Sequence, residues 1–275
     1  MQFNFRNGKN LTIGKKTLIM AILNVTPDSF SDGGKFNTIE TAKRQVDKLV
    51  NAGADIIDIG AESTRPGFKS ITFDEEIARL EPILKAVTAD CPIPISIDTY
   101  KAQTAEAAIN LGADIINDIH GLKYEEEPRQ MAQVAAKYNV PVVAMHNQII
   151  NGDVIADIKN FFRRTLQVAD DVKFNRQNII LDPGIGFNKT QEQNVQILRR
   201  LDELKTLDGV DYPMLLGVSR KSVIGYAVDL TIDKRDEATG AICVIGIMKG
   251  VDIVRVHNVD MIAKMCKMTD FILRQ

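Results

Sequence analysis

The chain has 275 residues, of which 45% are hydrophobic and 25% are charged, and its formal net charge is -2. This length and composition are typical of a globular protein with a large apolar core. A pI near 6.0 gives no global electrostatic reason to expect nucleic acid or an anionic membrane as the partner, so small molecules are the favoured ligands.

The beginning of the chain, Met1 to Gly8, has no basic segment followed by an apolar run, and no apolar stretch approaches the length of a membrane span. The 3 cysteines lack the spacing of zinc ligands or redox pairs. They predict free thiols in a reducing cytoplasm. The 3 histidines are far apart and form no transition-metal motif.

Short runs rich in Val, Ile and Leu recur along the chain, and longer amphipathic stretches separate them, a pattern typical of alternating strands and helices. The predicted strands are Leu18–Leu23, Ile56–Ile59, Ile93–Ile97, Ile115–Asn117, Val140–Met145, Ile179–Leu181, Met214–Val218 and Ile253–Val256. The predicted helices are Thr38–Ala52, Phe73–Ala89, Ala102–Leu111, Pro128–Tyr138, Val154–Val172, Gln191–Leu207, Asp236–Lys249 and Asp260–Leu273.

This alternation predicts an α/β fold, one (β/α)8 TIM barrel forming a single domain over residues 1–275. Thr38 and Thr190 are predicted helix caps. The Asn7-Gly8 pair predicts a short N-terminal hairpin that closes the bottom of the barrel. A doubly wound open sheet is the main alternative, but no Gly-x-Gly-x-x-Gly phosphate loop follows the first strand.

Functional sites of TIM barrels lie at the carboxyl ends of the strands, and each predicted strand carries a polar residue there. These residues are Asn24, Asp58, Asp98, Asn117, Asp118, His146, Asp182, Ser219, Arg220, Lys221, Arg255 and His257. A carboxylate in such a place can also cap the next helix, and a lone histidine is often structural. Asp58 and Asp98 interrupt apolar runs, however, where a buried charge is costly unless it is paired or binds a ligand.

Three segments near these strand ends suit an anionic ligand. The loop from Asn24 to Gly34 is long and rich in Pro, Asp, Ser and Gly, and the loop from Gly60 to Gly67 offers hydroxyls and Arg65. The third segment is Ser219 to Ser222, although Arg220 could equally be an ordinary basic surface residue.

Two of these runs resemble the dihydropteroate synthase family: Asn24-Val25-Thr26-Pro27-Asp28-Ser29-Phe30-Ser31-Asp32-Gly33-Gly34 and Glu62-Ser63-Thr64-Arg65-Pro66-Gly67. The resemblance continues in order through the runs at 96–99, 117–119, 181–187, 219–221 and 255–257, and it covers nearly the whole chain. It implies a TIM-barrel transferase of folate synthesis. That reaction joins 6-hydroxymethyl-7,8-dihydropterin diphosphate to 4-aminobenzoate and releases 7,8-dihydropteroate and diphosphate.

The resemblance also implies a role for individual residues, with Lys221, Arg255, His257 and Asp98 as the catalytic set. The implied pterin ligands are Asp98, Asn117, Asp182, Lys221 and Arg255. The implied diphosphate ligands are Asn24, Thr64, Arg65, Arg255 and His257. The implied 4-aminobenzoate pocket comprises Thr64, Arg65, Pro66, Phe187, Ser219 and Lys221. The implied cofactor is Mg2+ held by Asn24, with Asp32 as a second candidate, and the implied assembly is a homodimer.

Three positions depart from the family pattern. Ala61 replaces a glycine, the loop from Asn147 to Gly152 looks rebuilt and shortened, and Asn258 replaces an aspartate that could orient His257. They leave two alternatives to an active synthase: a methyltetrahydrofolate methyltransferase, which would not need the diphosphate loops, and a non-catalytic pterin-binding paralogue.

Overall fold

The structure, a computed structural model, describes residues 1–25, 35–62 and 70–274, and for residues 35–38 it describes the backbone alone. The strands in chain order are β1 (Gln2–Asn4), β2 (Asn10–Thr12), β3 (Leu18–Asn24), β4 (Ile56–Gly60), β5 (Ile95–Asp98), β6 (Ile115–Asp118), β7 (Val142–Met145), β8 (Ile179–Asp182), β9 (Thr206–Leu207), β10 (Val210–Asp211), β11 (Leu215–Leu216) and β12 (Ile253–Val256).

Eight of these strands form one parallel sheet in the order β11-β12-β3-β4-β5-β6-β7-β8. The sheet closes because β8 meets the start of β11, where the Leu181 amide donates to the Pro213 carbonyl over 2.8 Å. The strands read as continuous apolar runs because both of their faces are buried, as β4 shows along its whole length. The predicted TIM barrel is confirmed, and the open sheet is excluded.

Helices cover the outside of the barrel with their apolar faces. They are α1 (Lys35–Asn51), α2 (Phe73–Val87), α3 (Ala102–Asn110), α4 (Gln130–Tyr138), α5 (Val154–Asp171), α6 (Gln191–Arg199), α7 (Ser222–Val228), α8 (Asp236–Met248) and α9 (Val259–Leu273). The predicted cap at Thr190 is confirmed, since its side chain accepts from the Gln193 amide in a full capping box. None of the helices in the described parts of the chain is long and apolar enough to cross a membrane.

The predicted N-terminal hairpin is confirmed, and it plugs the bottom of the barrel. Strands β1 and β2 pair antiparallel, with Phe3 opposite Leu11. Four apolar side chains of the hairpin region, Phe3, Phe5, Leu11 and Ile13, pack in one buried cluster with the lowest residues of the barrel interior. Those barrel residues are Leu18, Met20, Ile56, Ile115, Val143, Ile180, Leu215 and Ile253. The hairpin therefore buries apolar side chains that the barrel alone would expose at its amino end.

A three-residue junction recurs before β4, β6 and β12, and its sequences are Gly53-Ala54-Asp55, Gly112-Ala113-Asp114 and Gly250-Val251-Asp252. The three glycines have φ of +102°, +101° and +90°. Such values favour glycine over any residue with a side chain. The chain can therefore leave a helix and enter the next strand within a few residues.

The aspartate of each junction holds the neighbouring strand. Asp55 accepts from the Ile19 amide over 2.9 Å, Asp114 from the Ile95 amide over 3.0 Å, and Asp252 from the Met214 amide over 2.9 Å. A lysine pairs with each carboxylate: Lys16, Lys9 and Lys205 respectively. The three carboxylates thus set the register of three strand pairs at the amino ends of the strands.

Three local predictions were wrong. The helix predicted over Gln191–Leu207 ends at Arg199, and β9 and β10 then form a hairpin. Asp208 and Gly209 form its turn with φ of +51° and +81°, values that an Asp-Gly pair accommodates. Thr38 is not a cap, because α1 already begins at Lys35. Helix α7 was not predicted, because its short sequence shows no clear helical period.

Candidate active site at the barrel rim

Six polar side chains converge at the carboxyl ends of the barrel strands. They are Asp58 on β4, Asp98 on β5, Asn117 on β6, Asp182 on β8, Lys221 before α7 and Arg255 on β12. The four that carry carboxylate or amide groups expose 8% of their surface or less. Buried polar groups of this kind require partners or a ligand.

Arg255 links strands on its side of the barrel. Its Nε donates to Asp58 Oδ2 over 2.6 Å, and its Nη2 donates to Asp98 Oδ2 over 2.6 Å. The same Asp58 oxygen accepts from Asn117 Nδ2 over 3.0 Å. Asp58 therefore fixes the plane of the Arg255 guanidinium, and it orients the Asn117 amide so that the acceptor oxygen is left for another partner.

Two carboxylate oxygens in this cluster have no hydrogen-bond partner among the described residues. These buried atoms are Oδ1 of Asp58 and Oδ1 of Asp98. Because buried polar atoms are almost always satisfied in folded proteins, two unpaired acceptors in one cluster indicate a ligand with hydrogen-bond donors.

Asp182 and Lys221 form the opposite side of the cluster. The Gly184 amide donates to Asp182 Oδ1 over 2.8 Å, and Lys221 Nζ donates to the Ile185 carbonyl over 2.6 Å. A Cβ atom at Gly217 would lie 3.8 Å from both Asp182 Oδ2 and Lys221 Nζ. The glycine therefore keeps open a space that both groups border.

Burial shifts the pKa values of these groups toward their neutral forms. It raises the pKa of Asp98 to about 7, against the lowering effect of Arg255 and with the help of Asp58. Burial also raises the pKa of Asp182, although Lys221 opposes it. Burial lowers the pKa of Lys221 to about 8. For Arg255, the carboxylates of Asp58 and Asp98 outweigh burial and hold its pKa above the ordinary value.

A second wall adjoins Lys221. The Lys221 ammonium lies 4.6 Å from the centroid of the Phe187 ring, a cation–π distance. On the neighbouring strand ends, Ser219 Oγ lies 2.9 Å from His257 Nδ1 and accepts from the His257 backbone amide over 3.2 Å. Ser219 and His257 thus form one hydrogen-bonded unit beside the pocket.

Comparison with known proteins identifies the family of the chain. A family model described as pterin binding enzyme matches residues 20–257. The dihydropteroate synthases of Clostridium beijerinckii and Bacillus subtilis are 51% and 46% identical to the chain, and the matches cover 97% and 96% of it and 98% and 92% of the relatives. The chain belongs to the dihydropteroate synthase family of pterin-binding enzymes.

Solved structures agree with the family assignment. A dihydropteroate synthase from Clostridium difficile, crystallised in the presence of pteroic acid, superposes with a TM-score of 0.91 at 48% identity and covers 96% of this chain and 100% of its own. The Xanthomonas albilineans dihydropteroate synthase with 4-aminobenzoic acid gives a TM-score of 0.89 at 33% identity and covers 97% and 96%.

Several expected ligand residues of the family site lie outside the described residues. They are Thr64, Arg65 and Pro66, together with Asp32 and the rest of the first loop beyond Val25. Asn24 is described, and it is an exposed residue at the end of β3. The predicted roles of Thr64, Arg65 and Pro66 therefore rest on the family resemblance alone.

Three polar residues at the strand ends do not belong to the pocket. His146 is 0% exposed, packs edge-on against Phe161 and lies 3.3 Å from Asp157, and burial lowers its pKa to about 3. Asp118 accepts from two backbone amides of its own loop. Arg220 pairs through two nitrogens with Asp236, at 2.7 and 2.8 Å. His146 and Arg220 thus contact helices α5 and α8, and Asp118 contacts its own loop.

The departures from the family pattern are accommodated. Ala61 does not have a positive φ, so its methyl group causes no backbone strain. The altered loop after β7 packs on the next one, with Asn188 donating to Asn147 Oδ1 over 2.9 Å. Asn258 caps α9 and donates to Asp236 Oδ2 over 3.0 Å. Asn258 therefore bonds to the same carboxylate that pairs with Arg220.

Sequence reasoning left two pocket residues without a role. Asp58 was recognised as a costly buried charge, but its partners Arg255 and Asn117 are remote in sequence. Gly217 was not recognised as a pocket residue, because a glycine within a predicted strand can have several structural roles. Within the described ranges, no three His, Cys, Asp or Glu side chains are grouped closely enough to hold a metal ion.

Proposed function

We propose that this chain carries out the reaction of its family at the rim cluster, joining 6-hydroxymethyl-7,8-dihydropterin diphosphate to 4-aminobenzoate with release of diphosphate. The chain is a transferase of folate biosynthesis. The observation that carries the residue assignment is the buried set of acids and bases around one space, with unpaired oxygens on Asp58 and Asp98.

The pterin ring suits this set of groups. Its guanidine-like edge carries two parallel donors, which one carboxylate can accept together, and Asp182 is the carboxylate assigned to it. Asn117 and Asp98 complete that edge. Asn117 contributes its oxygen, since its Nδ2 is bonded to Asp58. Lys221 donates to the carbonyl and N5 side of the ring, and Arg255 lies over its face.

The chemical step is a dissociative substitution. The C–O bond to the diphosphate breaks first, while electron release from the dihydropterin ring stabilises the positive charge on the exocyclic carbon. Conjugation spreads part of that charge over the ring, where the carboxylate of Asp98 favours it. Arg255, His257 and Asn24, with Thr64 and Arg65, hold the leaving diphosphate, and the two arginines offset its charge. The amine of 4-aminobenzoate then attacks the carbon and loses a proton, so no enzyme nucleophile is needed.

The second substrate occupies the adjoining wall. We assign 4-aminobenzoate to Phe187, Ser219 and Lys221, with Thr64, Arg65 and Pro66 on the loop after β4. The cation–π pair of Lys221 and Phe187 supports this assignment, because a planar aromatic acid can stack on the ring while its amine faces the pterin.

Mg2+ fits the donor set only as an ion held mainly by the substrate. The described residues offer the amide oxygen of Asn24 rather than a cage of carboxylates, and Mg2+ often keeps few protein ligands when it binds phosphates. When bound, it would supply charge neutralisation to the diphosphate. Asn24 is the residue that would hold it.

One assay tests the proposal: the purified chain is incubated with the pterin diphosphate, 4-aminobenzoate and Mg2+, and dihydropteroate and diphosphate are measured. Both products are expected in equal amounts, and less of each without Mg2+. Pterin binding without turnover would instead select a non-catalytic paralogue, and methyl transfer from methyltetrahydrofolate would select the methyltransferase.

Two variants test the residue assignment. In Asp182→Asn, the side-chain oxygen stays with the Gly184 amide, so the new NH2 group meets the donor edge of the pterin and binding weakens. Lys221→Ala impairs both substrates, because Lys221 borders both sites. Unchanged pterin affinity and kinetics in both variants would refute the assignment.

We also propose that the enzyme is a cytoplasmic homodimer. An apolar patch on α8 and α9 supports a second copy as the partner. Its exposed side chains are Ile245, Met248, Met268, Phe271 and Ile272. Sedimentation equilibrium should give a dimer for the wild-type chain and for Val210→Glu, and a monomer for Phe271→Glu. A Phe271→Glu protein that stays dimeric would exclude this face. The three buried thiols suit a reducing compartment, which fractionation of the source cells can test.

A further inference from the structure

Lys189 closes the turn that follows β8. Its ammonium donates to the Gly184 carbonyl over 2.9 Å, to the Phe187 carbonyl over 3.0 Å and to the His146 carbonyl over 3.0 Å. An ammonium group has three N–H donors, and all three are used. Two acceptors belong to the turn itself, and the third belongs to the end of β7.

Burial of the Lys189 ammonium costs desolvation free energy. Burial lowers the pKa of Lys189 to about 7, although Asp182 and Asp157 counteract that effect, and Lys221 adds to it. The pKa of His146, whose carbonyl accepts from Lys189, is lowered by burial and by the Lys189 charge. A lysine ammonium is seldom drawn away from water to bind only backbone carbonyls.

The turn held by Lys189 carries two groups that the proposed reaction uses. One is the Phe187 ring, and the other is the Ile185 carbonyl that accepts from Lys221 over 2.6 Å. Gly186, between them, has φ of +83°, and a Cβ there would lie 3.2 Å from Lys221 Cδ. A shift of the turn would therefore move the Phe187 ring and displace Lys221.

Asn194 also holds this turn, since its Oδ1 accepts from the Gly186 amide over 2.8 Å. It is 0% exposed. The hydrogen bonds of Asn194 reach Gly186 and Thr190, so the Phe187 side of the turn is held by the Phe187 amide, which donates to the Gly184 carbonyl over 3.2 Å, and by Lys189. Lys189 does not itself need to touch a substrate to affect the pocket.

We propose that Lys189 is a positioning residue for the second substrate, fixing the β8–α6 turn so that Phe187 and Lys221 form the pocket for 4-aminobenzoate. The inference rests on the proposed function, which assigns 4-aminobenzoate to that wall. Lys189 thereby determines the affinity for the aromatic acid through the position of the Phe187 ring.

The test is a double-mutant cycle with a stability control. The KM for 4-aminobenzoate at saturating pterin diphosphate, and the Tm, are measured for wild type, Lys189→Met, Phe187→Ala and the double variant. Lys205→Met is the matched control, because Lys205 also pairs with buried groups but lies at the opposite end of the barrel, beside Asp252.

Lys189→Met should raise the KM about tenfold in the wild-type background, a common magnitude for a residue that orients a ligand-binding group. In the Phe187→Ala background the same change should raise the KM by less than about threefold, because the ring through which it acts is gone. Lys205→Met should lower the Tm while leaving the KM within about twofold of wild type.

An unchanged KM in Lys189→Met would overturn the inference. So would an equal fold rise in KM on Lys189→Met in the wild-type and Phe187→Ala backgrounds. If Lys189→Met does not fold, Lys189→Gln replaces it, because its amide keeps two N–H donors. Lys189→Gln should raise the KM less, and this rise should disappear in the Phe187→Ala background. An equal fold rise in KM in both backgrounds would also overturn the inference. If wild type shows no turnover, the proposed function fails. The same cycle, measured as equilibrium binding of 4-aminobenzoate with the pterin diphosphate present, then decides the role of Lys189.

Discussion

Arg255 Nε donates to Asp58 Oδ2 over 2.6 Å, although the two residues lie on strands separated by β3. The bond spans part of the barrel interior, and Asn117 reaches the same oxygen from the other side. Asp58 therefore organises two groups that are assigned to the pterin, while its own Oδ1 is buried without a hydrogen-bond partner among the described residues.

Asp58→Ala should lower kcat/KM for the pterin diphosphate by about 10- to 100-fold, because Arg255 and Asn117 both lose the acceptor that orients them. Asp58→Asn should lie between this variant and wild type, since an amide oxygen can still accept. Asp55→Ala is the control at the start of the same strand, and it should reduce stability without this kinetic loss. Equal kinetics for Asp58→Ala and Asp55→Ala would contradict the role given to Asp58.

Asp98 gives stability a defined pH dependence. Its pKa is about 7 in the folded chain and near 3.8 when unperturbed, so between these values the folded state holds a proton that the unfolded state has lost. Stability therefore falls as pH rises through this window, and it falls no further above it. Asp98→Asn cannot titrate, so its Tm relative to wild type should increase from pH 4 to pH 7. A constant Tm difference between the two proteins over that range would show that the Asp98 pKa is not raised.

Asn258→Asp should destabilise the chain, although the family resemblance implies an aspartate at this position. The new carboxylate would lie beside the Asp236 carboxylate, which Asn258 Nδ2 now approaches to 3.0 Å. Thermal unfolding at pH 7 should give a lower Tm than for Asn258→Ser, which keeps an oxygen for the helix cap without the charge. The difference should shrink at low pH as the carboxylates become protonated. A Tm at pH 7 equal to or above that of Asn258→Ser would argue against the repulsion.

The junction carboxylates predict a stability effect without a kinetic one. Asp114 accepts from Asn7, Lys9 and the Ile95 amide. Asp114→Asn should lower the free energy of unfolding by about 2 kcal/mol, because hydrogen bonds to a charged group are lost. Urea denaturation measures this, and Asp202→Asn, an exposed partner of Lys249, should change it by less than about 0.5 kcal/mol. A rise in either KM for Asp114→Asn would mean that the barrel bottom and the site are coupled.

The barrel could be predicted because its signal is repeated. The buried strands are short apolar runs and most of the longer helices have an amphipathic period, so an error in one element does not change the count. The hairpin around Asp208 and Gly209 was predictable too, since Asp-Gly is a strong turn signal, but the helix predicted over Gln191–Leu207 included the first strand of this hairpin. Element ends remained uncertain by a few residues, as α1 shows at Lys35.

From the sequence, the site could be located only at the carboxyl ends of the barrel strands. A position at the end of a strand says that a residue is near the rim, but not which way its side chain points. His146 turns to Asp157 on α5, Arg220 turns to Asp236 on α8, and Lys189 turns back onto carbonyls of its own turn. These directions depend on contacts between distant segments, which periodicity does not encode.

Because of the Gly-x-Asp junctions, strand alignment and ligand binding depend on opposite ends of the same strands. Asp55 and Asp58 lie three positions apart, yet one holds strand register at the amino end and the other orients ligand-binding groups at the carboxyl end. Substitutions that alter substrate or inhibitor preference at the rim can therefore accumulate while the opposite end keeps the strands aligned. Such a division makes the chain tolerant of selection on its binding surface, because a change in ligand preference need not weaken the scaffold.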